Sequence, residues 1–198
     1  MTQVKLNKSA LSLQQKNLKN YERYLPSLEL KRKKLLSVRV QLDEQIKHVQ
    51  AEELRIKETI QNDLPMASAM LPQLGRLISI QSINVHEENI VGAKVPVFGS
   101  VEFNIKEYAY LNTPHWFETA IALIRALVEL GLQIKLLLSA QEILAGEIKT
   151  VTQRKNLFEK VLIPEALKQI RLIQIFLSDN ERAGVVSSKI AKRKRPVS

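Results

Sequence analysis

The stretch that decides the fold is Thr150–Arg182, TVTQRKNLFEKVLIPEALKQIRLIQIFLSDNER. Apolar residues recur at helical spacing on both sides of Pro164, so the segment reads as one helix with a proline inside it. An interior proline removes a hydrogen bond, collides with the carbonyl four residues back and costs on the order of 3 kcal/mol. The spacing therefore predicts a kink at Pro164 that frees the Lys160 carbonyl, in a helix that needs outside support.

Working outward, the same pattern takes in Leu144, Ile148, Val151, Phe158 and Leu162, then Ile163, Leu167, Ile170 and Leu177. Its start lies in LNTPHWFETAIALIRAL, with Thr113 as N-cap, Pro114 at the first helical position and Glu118 in the early turns. A second helical run opens the chain. Leu11, Leu18 and Leu25 occupy one heptad position, Tyr21, Leu28, Leu35, Leu42, Val49 and Ile56 the position three later, and Ile46 and Ile60 rejoin the first. Arg32, Arg39 and Glu53 interrupt the seam, but spacing sustained this far indicates a coiled-coil strand. About 50 residues at 1.5 Å each make a rod of roughly 75 Å.

Between the runs, NDLPMASAMLP (Asn62–Pro72) ends the first rod with two prolines and small residues. The following RLISIQSINVHEENIVGAKVPVFGSVEF is rich in Ile and Val with alternation, and predicts a β-hairpin turning at His86–Asn89. The expected architecture is mainly α: a long antiparallel two-helix coiled coil with a small central β-hairpin, because neither amphipathic helix can bury its seam alone. Its divisions are an N-terminal helix over 1–64, a globular insert over 65–114, a C-terminal helix over 115–182 and a basic C-terminal end over 183–198, loose at its tip.

The formal net charge is +10. Residues 1–64 carry 13 basic and 8 acidic groups, 65–114 carry 3 and 4, and 115–198 carry 14 and 8, so the excess sits on the helical flanks. Such a field favours an acidic partner, which charge alone leaves open among nucleic acid, an anionic membrane surface and an acidic protein. KRKK (Lys31–Lys34) is spread around a helix and forms no flat phosphate-reading face. KIAKRKR (Lys189–Arg195) is denser, but no aromatic residue interleaves with it for base stacking. The start has no apolar core of signal-peptide length, and charged residues interrupt every apolar run, so a chain of the cytoplasm is expected, without direct membrane insertion.

Chemistry is hard to find. There is no cysteine, which excludes thiol catalysis and thiolate metal sites. No GxxxxGK[ST] or GxGxxG occurs, and His48, His86 and His115 are far apart with no HExxH, so neither a nucleotide, a metal nor any other cofactor is expected. HEEN (86–89) reads as a solvated turn. The residues alone describe a mechanical or docking element.

Several ordered motifs then carry a resemblance. LNKSAL (Leu6–Leu11), LELKRKKL with Leu28, Lys31 and Leu35, and KVP (Lys94–Pro96) are followed by Thr152, Arg154, Asn156, Glu159, Ile163 and Pro164 in a T-x-R-x-x-N-x-x-E-x-x-x-I-P pattern, then Ile170, Ile173, Leu177 and NER (Asn180–Arg182). In these the chain resembles the D subunits of V/A-type rotary ATPases, the central shaft of the rotor, over nearly its whole length. It departs at Pro26, where the family has an ordinary helical residue, and at Lys155, Leu157 and Phe158, which replace the commoner Val, Ala and Leu. The resemblance implies a non-catalytic subunit that transmits torque between the catalytic A/B ring and the membrane rotor ring, peripheral on the cytoplasmic side. The implied partners are the A, B and F subunits and a cap subunit of the C/d type, with no nucleic acid. It further implies that the paired helix ends enter the ring, where Lys5, Lys8, Lys189, Lys192, Arg193, Lys194 and Arg195 would meet it, and that the hairpin influences ATPase rate.

Overall fold

The computed structural model describes residues 5–66, 75, 77–106, 108 and 113–194. Two long helical stretches pack antiparallel, with one two-stranded antiparallel sheet inserted between them in sequence. The elements are α1 (Lys8–Asp63), β1 (Ile78–Ile90), β2 (Ala93–Ile105), α2 (Phe117–Leu157), a π-helical turn (Phe158–Leu162) and α3 (Ile163–Lys194). The chain forms two compact units, one of residues 1–32 with 150–198 and the other of residues 33–149.

Helix α1 starts at an N-cap: Asn7 Oδ1 accepts from the Ala10 N–H at 2.7 Å, satisfying one of the free donors of the first turn. It runs through Pro26 without a break in assignment and stops at Asp63, just before Pro65. Helix α2 begins later than Pro114. The Phe117 N–H donates to the Pro114 carbonyl at 3.0 Å, so residues 114–117 form a tight turn leading into the helix.

In the unit of residues 33–149 the seam is dry. Leu35, Leu42, Ile46 and Val49 on α1 are buried, as are Ala140 and Leu144 on α2. Gln141 Nε2 donates to Asp43 Oδ1 at 2.5 Å across the pair. Toward the other end of α2, Phe117, Ala120 and Ile121 form a second buried cluster, against which Leu64, Ile78, Ile105 and Trp116 pack. Tyr108 meets Phe117 edge to face, with centroids 5.1 Å apart.

The hairpin turns at Val91–Gly92, not at His86–Asn89. Those four residues lie in β1, paired with Val97, Pro96, Val95 and Lys94. The turn carries positive φ at both central residues, 54° at Val91 and 89° at Gly92, as a two-residue turn matched to strand twist requires. Asn89 Oδ1 accepts from the Gly92 N–H at 2.8 Å. Burial decides the register: Ala93 and Val95 are each only 2 % exposed, and a slip would turn them to solvent. Register shifts at Ile80/Ser82 and Asn84/Val85 leave Gln81 and Gly99 as extra residues. A side chain at Gly99 would sit 2.9 Å from the Asn84 carbonyl oxygen, which is why only glycine fits that bulge.

In the unit of residues 1–32 with 150–198, Lys8 lies beside Glu181, Tyr21 beside Phe158 and Glu29 beside Lys155, so the helices run antiparallel here too. Pro164 is accommodated by the π-helical turn before it, in which the Ile163 N–H donates to the Phe158 carbonyl five residues back. The physical reason lies in the spacing of the seam. Phe158, Leu162, Ala166 and Ile170 follow one another at steps of four, where a heptad would alternate three and four, so the sequence carries one extra residue. A π-helical turn absorbs one residue, and the seam stays on one face. This corrects the expected position Leu167, which is 50 % exposed, while Ala166 is buried. Helix α3 continues well past Arg182, to Lys194, so the described part of the basic end is helical; its tip, residues 195–198, lies outside the described residues.

Candidate functional surfaces

The seam residues read from the sequence, Leu167 apart, all lie at least partly out of water. Leu35, Leu42, Ile46, Val49, Leu144, Val151 and Ile170 are buried; Leu11, Leu18, Leu25, Leu28, Ile56, Ile148, Phe158, Leu162 and Leu177 are half-buried. They hold the helices together, and Leu42 and Val49 also line the cleft beside the hairpin. Ile173, fully buried, is a further seam residue, three after Ile170 and four before Leu177, that the expected seam did not include.

Two exposed surfaces stand out among the described residues. The first is the end of the helix pair in the unit of residues 1–32 with 150–198. Lys5 and Lys8 are exposed, and Lys8 Nζ approaches Glu181 Oε1 only to 4.0 Å in full solvent, a contact too screened to hold the helices. Beyond Glu181, every described residue of α3 is exposed. Lys189, Lys192 and Arg193 share one side of this segment with Arg182, and the exposed Val186 and Ile190 lie beside them at i,i+3 and i,i+4 spacing, with Lys194 at its end. Basic residues in a last turn complement the helix dipole. A helical segment of this length with no packed face is marginal on its own in water. Arg195 lies outside the described residues.

The second surface is the hairpin, in the unit of residues 33–149. Its tip closes one side of a cleft of about 790 Å³, lined among others by Lys34 and His48 on α1, Gln133 on α2, and Glu88, Val91 and Pro96 on the hairpin. Ile80, Ile83 and Val85 on β1 are each more than 40 % exposed, an apolar row on the outer strand. Among the described residues, no group of three His, Cys, Asp or Glu side chains could hold a metal ion. No helix among them is long and apolar enough to cross a membrane.

Comparison with known proteins gives this arrangement a family. The family model for the ATP synthase D subunit matches residues 10–193. The chain is 34 % identical to the D subunit of a V-type ATP synthase from Borreliella burgdorferi, covering 97 % of this chain and 95 % of that one. It is 36 % identical to the V-type ATP synthase D subunits of Chlamydia abortus and Chlamydia caviae, in each case over 98 % of this chain and 94 % of the relative. The chain belongs to the family of ATP synthase D subunits.

The motif residues of this D-subunit chain cluster around the π-helical turn. Thr152, Ile163 and Pro164 are half-buried, and Arg154, Asn156 and Glu159 are exposed. Glu159 pairs with Lys155 at 3.2 Å, and Lys155 also reaches Glu29 on α1 at 3.3 Å. The hydrogen bonds to Glu159 and then Glu29 hold the Lys155 ammonium above its ordinary value, against a smaller opposing effect of burial. Lys155 thus ties the two helices together.

Proposed function

We infer that this chain is the central-stalk rotor subunit of a V/A-type ion-translocating ATPase or ATP synthase, transmitting torque between the catalytic ring and the membrane rotor ring. One observation carries the reading: membership of the D-subunit family along nearly the whole chain, in a molecule built as an antiparallel helix pair with a hairpin. Catalysis and ion binding then belong to other chains. This chain supplies stiffness and an uneven surface.

The partner assignments follow from the same reading. The A and B subunits surround the exposed basic end of α3 and the start of α1, where the uncovered Val186 and Ile190 and the neighbouring cations call for a partly apolar, partly acidic lining. The F subunit and a cap subunit of the C/d type take the other surfaces, and the whole lies peripherally on the cytoplasmic side of a membrane. Purified chain mixed with A, B and F subunits should form one complex by native mass spectrometry. Deleting residues 189–198 should weaken that assembly while leaving the rest of the helix content unchanged. Failure of the intact chain to join the A/B ring would overturn the reading, as would tight, sequence-selective binding to duplex DNA in place of weak, salt-sensitive binding.

A further inference from the structure

Both helices of the unit of residues 1–32 with 150–198 lose backbone hydrogen bonds at the same level. Tyr21 and Phe158 meet edge to face with centroids 5.4 Å apart, and Glu29 pairs with Lys155, so residues 21–29 of α1 lie along residues 155–158, where α2 enters the π-helical turn. Pro26 falls within that span. Having no N–H, it leaves the Glu22 carbonyl without its helical donor. The nearby Ser27 hydroxyl donates to the Tyr24 carbonyl at 2.8 Å and so does not replace it. On the facing helix, the π-helical turn and Pro164 disturb the ladder within one turn of each other.

Packing does not make up the loss. No residue of α1 from Lys8 to Arg32 is buried, and none between Val151 and Ala166 on the facing helix. What crosses the seam is half-wet: the Tyr21–Phe158 ring contact and the Lys155 ammonium between Glu29 and Glu159. Sharp helix deformations concentrate at proline and at π-helical turns, and regions poor in buried contacts open first.

We propose that this level is a compliant joint in the helix pair, formed by Pro26 beside the last turn of α2 where it enters the Phe158–Leu162 π-helical turn, and latched by Lys155 between Glu29 and Glu159. The joint yields to bending and twist while the stretches on either side stay helical. Its bearing on rotation rests on the rotor reading; the joint itself does not, and the isolated chain suffices to test it.

The chain has no cysteine, so spin labels can be placed freely. Labels on Gln153→Cys and Arg171→Cys bracket the π-helical turn at exposed positions; a reference pair, Val40→Cys and Glu58→Cys, has the same separation on uninterrupted α1. The distance distribution across the joint should be about twice as wide as the reference, and should narrow toward it when Pro26→Ala and Pro164→Ala are combined. Lys155→Met should widen it further. Equal widths in the native sequence would overturn the joint, and an unchanged width in Lys155→Met would remove the latch. Should the double variant not fold, hydrogen exchange on the unaltered chain still decides: amides of 21–28 and 158–166 should exchange about tenfold faster than those of 168–175, and equal protection would refute the proposal.

Discussion

The two units are built from the same kind of helix pair and held by different means. In residues 33–149 the seam is dry, with Leu35 and Leu144 fully buried and a second apolar cluster around Phe117. In residues 1–32 with 150–198, α1 contributes no buried side chain, both helices carry a proline, and a charged Lys155–Glu29 pair crosses the seam. Yet both halves of α1 show the same heptad of leucines. The difference teaches that heptad spacing identifies which residues face a partner, whereas the depth of burial depends on what else covers them. In the dry unit the hairpin adds the buried Ala93 and Val95, and Val95 lines a cleft together with Leu42 and Val49 of α1.

The largest expected effect breaks this comparison most directly. Leu35→Ala should destabilise the dry unit by about 2–5 kcal/mol, because it leaves a cavity in a closed seam. Leu25→Ala, also on the heptad seam but half-buried, should cost only about 1 kcal/mol. Urea unfolding of the two variants measures the contrast, and equal losses would mean the two seams are alike. A smaller effect concerns strain in the dry unit. Val91 is a β-branched residue at φ 54°, a conformation it adopts at a penalty, so Val91→Asn should raise stability by about 1 kcal/mol. A midpoint that stays put or falls would show that Val91 contributes more by packing on the cleft than it loses in strain.

The smallest effect belongs to the polar seam. The Lys155 pKa is raised in the folded chain, so its stabilisation is fully present below the ordinary lysine value of 10.5 and is lost as pH rises through the higher folded value. Between pH 7 and 9, Lys155→Met should therefore differ from the parent by a constant amount, and the two should converge above that range. Thermal melts followed against pH check this; a difference that already shrinks between pH 7 and 9 would contradict the assignment of the charge to this latch.

Much of the architecture was legible because it rests on periodicity. Leu11 to Ile56 and Leu144 to Leu177 announce two helices that need each other, and the Ile- and Val-rich run between them announces strands. The hairpin turn was misplaced because local polarity at HEEN argued for a turn, while the strand register answers to the distant helices that bury Ala93 and Val95. Ile-Val-Gly-Ala lacks the Asn-Gly signature that would have marked the true turn. Pro164 was visible, but its consequence was not: only the count of steps from Phe158 to Ile170 shows an extra residue, and only the structure shows it taken up in a π-helical turn that moves Leu167 outward. The partner surfaces were the least legible part. Helix α3 extends to Lys194 with every described residue beyond Glu181 exposed, and a basic sequence alone does not distinguish such a helix from a loose tail.

The central claim is that this chain turns inside a catalytic ring. A bead or gold particle fixed to the chain, in a complex of A, B and F subunits anchored to glass through the ring, tests it most directly. Unidirectional rotation that starts with ATP and stops when ATP is removed is the predicted result. ATP hydrolysis with the particle stationary, in complexes shown to contain the intact chain, would contradict it.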